Sequence, residues 1–113
     1  KSECEKVIPV IRSIQKVEKI GTAALQELLK GPTDEEKALG FFTSLPSDAK
    51  LQTFTIEGTE GRPDFTAELD KSIAGSCRVL AIRAQIEKTV LQFSTIKTVR
   101  ISVEGRTEDI LQP

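Results

Sequence analysis

The sequence has no histidine, tryptophan, tyrosine or methionine, and only five phenylalanines among its 113 residues. The lack of histidine removes the commonest general base and the commonest metal ligand. The lack of tryptophan and tyrosine removes the aromatic side chains with polar tips that small-ligand sites favour. We therefore expect no catalytic residues, no metal site and no cofactor, and a core made mainly of aliphatic side chains.

The chain also lacks an excess of charge and a long apolar run. Sixteen basic and seventeen acidic residues give a net charge of −1, which offers no electrostatic basis for binding nucleic acid. We find no apolar run of about 18 residues, so we expect no membrane span within this chain, although a tether outside it is compatible with the sequence. The length fits one domain, predicted over residues 1–113.

Two cysteines are present, Cys4 and Cys77. An even count is typical of one disulfide in a secreted domain and of two unrelated thiols in a cytosolic one. The spacing is too long for a C-x-x-C redox motif, and the chain cannot supply four zinc ligands from cysteine and histidine. We expect a structural disulfide between Cys4 and Cys77, with two buried free thiols as the alternative.

The first third of the chain predicts a strand and two helices. Residues 7–14 are mostly β-branched and apolar and predict a strand, placed at an edge or a strand start because Pro9 lacks a backbone donor. A helix is predicted from an N-cap at Thr22 to Lys30, where Gly31 and Pro32 end it. Residues 33–36 then form a capping box for a short helix that reaches about residue 39.

The rest of the chain predicts a hairpin, a long helix and a last strand. Residues 51–57 and 62–66 flank a turn, although Pro63 argues against a central position for the second strand. The helix that begins at Ser76 carries an apolar stripe, and residues 99–103 alternate as a strand. This order favours an α+β two-layer sandwich, with one mixed or antiparallel sheet of about four strands and two main helices on one face. The stripe comprises Val79, Ile82, Ile86, Val90 and Phe93.

Several polar and aromatic residues were weighed as functional candidates. Outward-facing sheet residues suit an interaction surface, and Phe41 with Phe42 is better explained as a core plug than as a platform for a sugar. Ile110 and Leu111 either pack back on the core or continue into further sequence. A pair of carboxylates is the one catalytic arrangement that the composition leaves open, but these residues fall on turns and exposed positions, and we expect no enzyme. The sheet candidates are Thr53, Thr55, Arg100 and Ser102, and the carboxylates are Glu57, Glu60, Asp64, Glu68 and Asp70.

Four short motifs occur in a recognisable order: L-L-K-G-P-T-D-E-E at 28–36, L-P at 45–46, D-F at 64–65 and T-V-L-Q-F at 89–93. Together they resemble the GerMN domain family of sporulation and germination proteins, over most of the chain from about Ile8 to Gly105. Pro63 departs from the family pattern, which usually has an apolar strand residue before Asp-Phe. The Cys4–Cys77 pair is not a general family feature.

The resemblance implies an extracytoplasmic bacterial domain, secreted or carried on a lipoprotein, with a small sheet and two helices on one side, like the ring-building motifs of secretion machines. It implies a non-catalytic module that supports assembly of envelope complexes, by self-association or by contact with another envelope protein. The alternative is a domain that binds a small ligand or a cell-wall glycan.

Overall fold

The computed structural model describes residues 3–16, 18–71 and 73–112. The helices are α1 (Ile20–Lys30), α2 (Asp34–Ala38) and α3 (Ser76–Leu91), and short 3-10 helices cover Glu3–Glu5 and Ala67–Leu69. The strands are β1 (Leu51–Glu57), β2 (Glu60–Phe65), β3 (Thr98–Val99) and β4 (Ser102–Val103). The predicted α+β class with a four-stranded mixed sheet is confirmed. None of the helices in these ranges is long and apolar enough to cross a bilayer.

The sheet is built around β2. β1 pairs with it in antiparallel orientation, and β3 and β4 pair with its other edge in parallel. Gly58 has φ 62° at the first position of the two-residue turn between β1 and β2, a conformation that glycine adopts without strain. β3 and β4 keep one register along β2, with Thr98 opposite Glu60 and Ser102 opposite Asp64. They are thus two halves of the strand predicted at 99–103.

Pro63 lies in the central strand, against the sequence-based expectation, and explains the interruption between β3 and β4. The amide of Arg100 donates to Gly61 O at 2.9 Å, and that of Glu104 donates to Phe65 O at 2.9 Å. In a parallel ladder with this register, the amide at position 63 would donate to the carbonyl of Arg100. Proline has no amide proton, so the ladder is broken there while the register continues beyond it.

The predicted strand at residues 7–14 is wrong. This stretch belongs to an irregular segment, residues 6–16, that we call the N-terminal strap. Apart from the Lys6 amide, which donates to Glu3 O, no backbone–backbone hydrogen bond involves the strap within the described residues. The composition favours a strand, but a strand needs hydrogen bonds to a neighbour, and no strand of the sheet pairs with these residues within the described structure.

The core lies between the sheet and the helices α1 and α3. The ring of Phe54 fills the space between Gly21 of α1 and Gly61 of β2, where a Cβ at Gly21 would lie 2.5 Å from Cε2 of the ring. A Cβ at Gly61 would lie 2.8 Å from Cγ1 of Val90 in α3. The helix α1 therefore approaches the sheet at its own Gly21, and α3 approaches the same face at Gly61 of β2. A side chain at either glycine would block this approach.

The predicted stripe of α3 is buried except for Phe93, which is half-buried. Ile110 and Leu111 pack back on the core, and the Leu111 amide donates to Asp70 Oδ1 at 2.8 Å. The fully buried side chains of largest volume come from α1, β2, the second 3-10 helix, α3, β4 and the C-terminal segment. They include Leu25, Phe65, Leu69, Ile82, Ile86, Val90, Val103, Ile110 and Leu111.

Helix ends follow the sequence signals in part. The capping box is present, because the Thr33 hydroxyl accepts from the Glu36 amide and the Glu36 carboxylate accepts from the Thr33 amide. Gly31, at φ 80°, ends α1 as predicted. The N-cap predicted at Thr22 is wrong, since α1 begins at Ile20 and Lys19 occupies the cap position without a side-chain bond.

Candidate interaction surface

The N-terminal strap follows a covalent anchor. Cys4, in the first 3-10 helix, is joined to Cys77, in the first turn of α3, with 2.00 Å between the sulfurs and 5.1 Å between the Cα atoms. Cys4 is half-buried and Cys77 is exposed. The disulfide thus fixes the chain just before the strap to the beginning of the longest helix.

A second anchor holds the middle of the strap. The two terminal nitrogens of the Arg12 guanidinium donate to the two carboxylate oxygens of Glu36 in α2, at 2.8 and 2.7 Å. This is the bidentate geometry that makes arginine–carboxylate pairs strong. The hydrogen bonds from Arg12, and then the one from the Thr33 amide, lower the pKa of Glu36 from 4.5 to about 2. One carboxylate therefore caps α2 and also holds the strap.

Aliphatic and aromatic side chains are exposed along the strap and just after α2. Ile8 is 69% exposed and Ile11 is 91% exposed, next to the anchored Arg12. Leu39 and Phe42 follow α2, and Phe42 is 83% exposed, so the core-plug prediction is wrong for Phe42 although Phe41 is half-buried. We call these four exposed residues, in two segments joined by the Arg12–Glu36 pair, the strap–α2 surface. Contiguous exposed apolar patches commonly mark interaction sites, whereas single exposed apolar side chains are common on any protein surface.

The face of the sheet away from the helices is polar. Thr53, Thr55 and Arg100 are exposed there as predicted, and Ser102 is half-buried. Glu60 accepts from Arg62 at 2.8 Å and lies 3.4 Å from Arg100. The hydrogen bond from Arg62, with the charge of Arg100, lowers the pKa of Glu60. A network of paired charges covers this face, which is typical of a solvated surface.

Three of the other candidate carboxylates accept hydrogen bonds, and the fourth, Glu57, is exposed at the end of β1. Asp64 Oδ1 accepts from the Ser102 hydroxyl and from the Gly105 amide, and Oδ2 accepts from Gln52. Asp70 accepts from the Leu111 amide near the C-terminal end. The pKa of Glu68 is lowered by hydrogen bonds from the Glu68 amide and from the Thr66 hydroxyl. Lowered pKa values at Glu60 and Glu68 are the opposite of what a general acid at neutral pH requires.

An open groove of about 700 Å³ runs between the first 3-10 helix and α3. Three acidic and three basic side chains line it, so their net charge is zero and no ion of one sign is favoured. No group of three acidic or cysteine residues within the described ranges is placed to hold a metal ion. The charged lining residues are Glu3, Glu5, Lys6, Arg83, Glu87 and Lys88.

Acid is expected to release the strap only near pH 2. The folded-state pKa of Glu36, about 2, lies below its ordinary value of 4.5. The stabilisation from this carboxylate is therefore complete above about pH 4.5 and is lost as the pH falls through 2. The Arg12→Gln variant lacks the hydrogen bonds from the guanidinium, which are the largest cause of the lowered pKa, so the pKa of Glu36 should rise towards 4.5. Carboxyl carbon NMR titration measures the pKa of Glu36 in the wild type and in the variant, and the signal of Glu35 serves as the internal control. An unchanged Glu36 pKa in the variant would contradict the pairing.

The strap–α2 surface could not be identified from the sequence. The capping box signalled Glu36, and the apolar character of residues 7–14 was clear, but a strand prediction turned those side chains towards a sheet. Nothing local indicates that Arg12 reaches α2, 24 positions away. The exposed aliphatic residues of the strap are a consequence of tertiary placement.

Comparisons with known proteins agree with this fold. A family model described as Germane, sporulation and spore germination, matches residues 1–109. No protein with a curated description matches the sequence.

Solved structures give the same picture. The first GerMN domain of the sporulation protein GerM from Bacillus subtilis is 26% identical, with a TM-score of 0.68 over 83% of this chain and 70% of that one. A protein described as a candidate lipoprotein from Clostridium perfringens is 23% identical, with a TM-score of 0.70 over 83% of this chain. This chain spans 60% of that protein. The tandem GerMN domains of Bacillus subtilis GerM are 22% identical, with a TM-score of 0.69 over 89% of this chain and 36% of that one.

Proposed function

Because this chain belongs to the Germane family of sporulation and spore germination domains, we propose that it is a non-catalytic assembly module of the bacterial cell envelope. It works outside the cytoplasm, in a secreted or surface-tethered protein, and it acts through protein–protein contacts. Residues 1–113 form one domain in this proposal. The partner is a second copy of the chain or another envelope protein.

The observation that carries the proposal is the strap–α2 surface. An isoleucine that is 91% exposed and a phenylalanine that is 83% exposed gain stability when a partner covers them. They sit on segments fixed by a disulfide and by a bidentate ion pair, so little conformational entropy is lost when a partner binds.

The location rests on two supports. The Cys4–Cys77 disulfide is exposed at Cys77, and such bonds persist in oxidising compartments and are rare in the cytosol. GerM is described as a sporulation protein, and another structural neighbour is described as a candidate lipoprotein. Both supports favour the extracytoplasmic side of the membrane.

The test is site-specific photo-cross-linking in a bacterium that produces the whole protein. A photoreactive residue at Ile11 is expected to give one adduct of defined mass, since this position lies on the strap–α2 surface. The matched control is Gln92, also exposed but at the end of α3. An absence of adducts at Ile11, or equal adducts at both positions, would count against the proposal. Alkylation of intact cells without reductant checks the location, because two reactive thiols would contradict an oxidising compartment.

A further inference from the structure

One edge of the sheet has no partner within the described residues. β1 pairs only with β2, through a two-residue hairpin. The residues that flank such a turn exchange hydrogen bonds, so Glu57, Thr55 and Thr53 direct their backbone groups at β2. Phe54 and Ile56 therefore direct their N–H and C=O groups outwards. An irregularity between Leu51 and Thr53 leaves residues 53–57 as the regular part of this edge.

The strap has the composition of a strand but no strand to pair with in the described structure. Residues 7–11 are apolar, four of the five are β-branched aliphatic residues that are exposed or half-buried, and no backbone–backbone hydrogen bond involves them in the described structure. They lie between two anchors, Cys4 and Arg12, which limit their freedom before any partner binds. The molecule thus contains a segment with the composition of a strand, residues 7–11, that pairs with no other strand. It also contains one strand, β1, whose outer edge is unpaired in the described structure.

We propose that residues 7–11 of one copy add as an antiparallel strand to residues 53–57 of a second copy. The register places Ile8 opposite Ile56 and Val10 opposite Phe54, so that outward-directed backbone groups meet. Pro9 then lies opposite Thr55, where an antiparallel ladder requires no hydrogen bond between the two strands. Pro9, which is the residue of this segment that lacks an amide proton, thus lies at a position where the ladder needs no donor.

Side chains agree with this register. Ile56 is 52% exposed and shares the helix-facing side of β1 with Phe54. Ile8 and Val10, 69% and 42% exposed, come to the same side and form cross-strand apolar pairs with them. Adding the strand therefore buries side chains that the single copy leaves in water.

Charge favours pairing between the strap and β1. The strap contains Lys6, Arg12 and Lys16 and no acidic residue, whereas residues 51–60 contain Glu57 and Glu60 and no basic residue. The two segments therefore carry opposite net charge, which favours their association.

The interaction rests on the proposed function, because it names the partner as a second copy. The smallest assembly in which every strap and every β1 is paired is a dimer with two exchanged straps. Pro9 would lie on the new outer edge, where it discourages a further strand.

The test compares two proline variants of the oxidised full chain by sedimentation over a wide concentration range. The wild type should form a defined oligomer. Val10→Pro removes an amide that faces β1 of the partner, and the midpoint of association should move to at least about tenfold higher concentration. Ser13→Pro is the matched control, because Ser13 is exposed, lies outside the paired residues 7–11 and makes no backbone–backbone hydrogen bond in the described structure, so it should change the midpoint by less than about twofold.

A second control excludes simple hydrophobic association. Val10→Thr keeps the amide and makes the exposed side chain more polar, so non-specific contact between apolar side chains predicts that it weakens association as much as Val10→Pro does. Equal losses for these two variants, or a monomer at every concentration, would overturn strand exchange. A monomer would leave the proposed function intact if cross-linking at Ile11 still captured a partner in cells.

Charge pairs test the register. Val7 lies directly opposite Glu57 in it, so Val7→Glu should weaken association by placing like charges side by side, and adding Glu57→Lys should restore it. Failure of the double variant to recover would overturn the antiparallel register.

Discussion

Phe65→Ala is expected to reduce the free energy of unfolding by about 3–5 kcal/mol, the usual cost of removing a large aromatic side chain from a core. Phe65 is 0% exposed and ends β2, where it is opposite Leu51 on one side and Val103 on the other. The loss of this side chain leaves a cavity in the core next to β2, the strand that pairs with β1 on one side and with β3 and β4 on the other. Chemical denaturation followed by circular dichroism measures the change.

The matched control is Phe42→Ala. Phe42 is 83% exposed, so the same substitution should change the free energy of unfolding by no more than about 0.5 kcal/mol. Equal losses at the two positions would mean that Phe42 packs inside the fold and that the strap–α2 surface is wrongly placed.

The second large effect is expected from the disulfide. Cys4 and Cys77 are 73 positions apart, and opening a loop of that length costs roughly 4 kcal/mol in the chain-entropy model. For a chain of this size we expect the melting temperature to fall by roughly 15 °C or more. Thermal unfolding with and without reductant measures the difference.

The Cys4→Ala/Cys77→Ala variant separates the disulfide from other effects of the reductant. It should melt at the temperature of the reduced wild type, and reductant should not alter it further. A double variant as stable as the oxidised protein would show that the bridge adds nothing to stability.

The helices and the hairpin could be predicted because their signals are local. The Thr33–Glu36 capping box, the Gly31 stop and the apolar stripe of α3 each depend on residues within a few turns of one another. The hairpin depends on alternation on both sides of a glycine-containing turn. Boundary errors were small, as at Thr22, because several residues near a helix start can serve as its cap.

The strap and Pro63 could not be predicted, because strand pairing is not local. Residues 7–14 have the composition of a strand, and whether they become one depends on which sheet edges remain free. Pro63 argued against a central strand, yet β2 retains that position because the bonds from Arg100 and Glu104 on either side hold the register. The order of the predicted elements indicated the α+β class, and the resemblance added the family.

The candidate surface was predicted in part. Thr53, Thr55 and Arg100 were placed correctly on the open face, but that face carries a paired polar network. The exposed aliphatic residues lie elsewhere, on a segment interpreted as part of the sheet. Burial depends on the whole fold, so a pattern of apolar residues cannot say which of them stay in water.

The covalent link between Cys4 and Cys77 also determines how the domain carries tension. A pull applied at Glu3 and at the C-terminal segment passes through the two sulfurs into α3, and not along the backbone of the strap, α1, α2 and the hairpin. Those elements form a closed loop that stretching cannot extend while the bond is intact. Only the part of the chain after Cys77 can be extended by the pull, and there α3, β3 and β4 bear the load. Oxidation of the two cysteines thus sets how much of the chain can be drawn out by force.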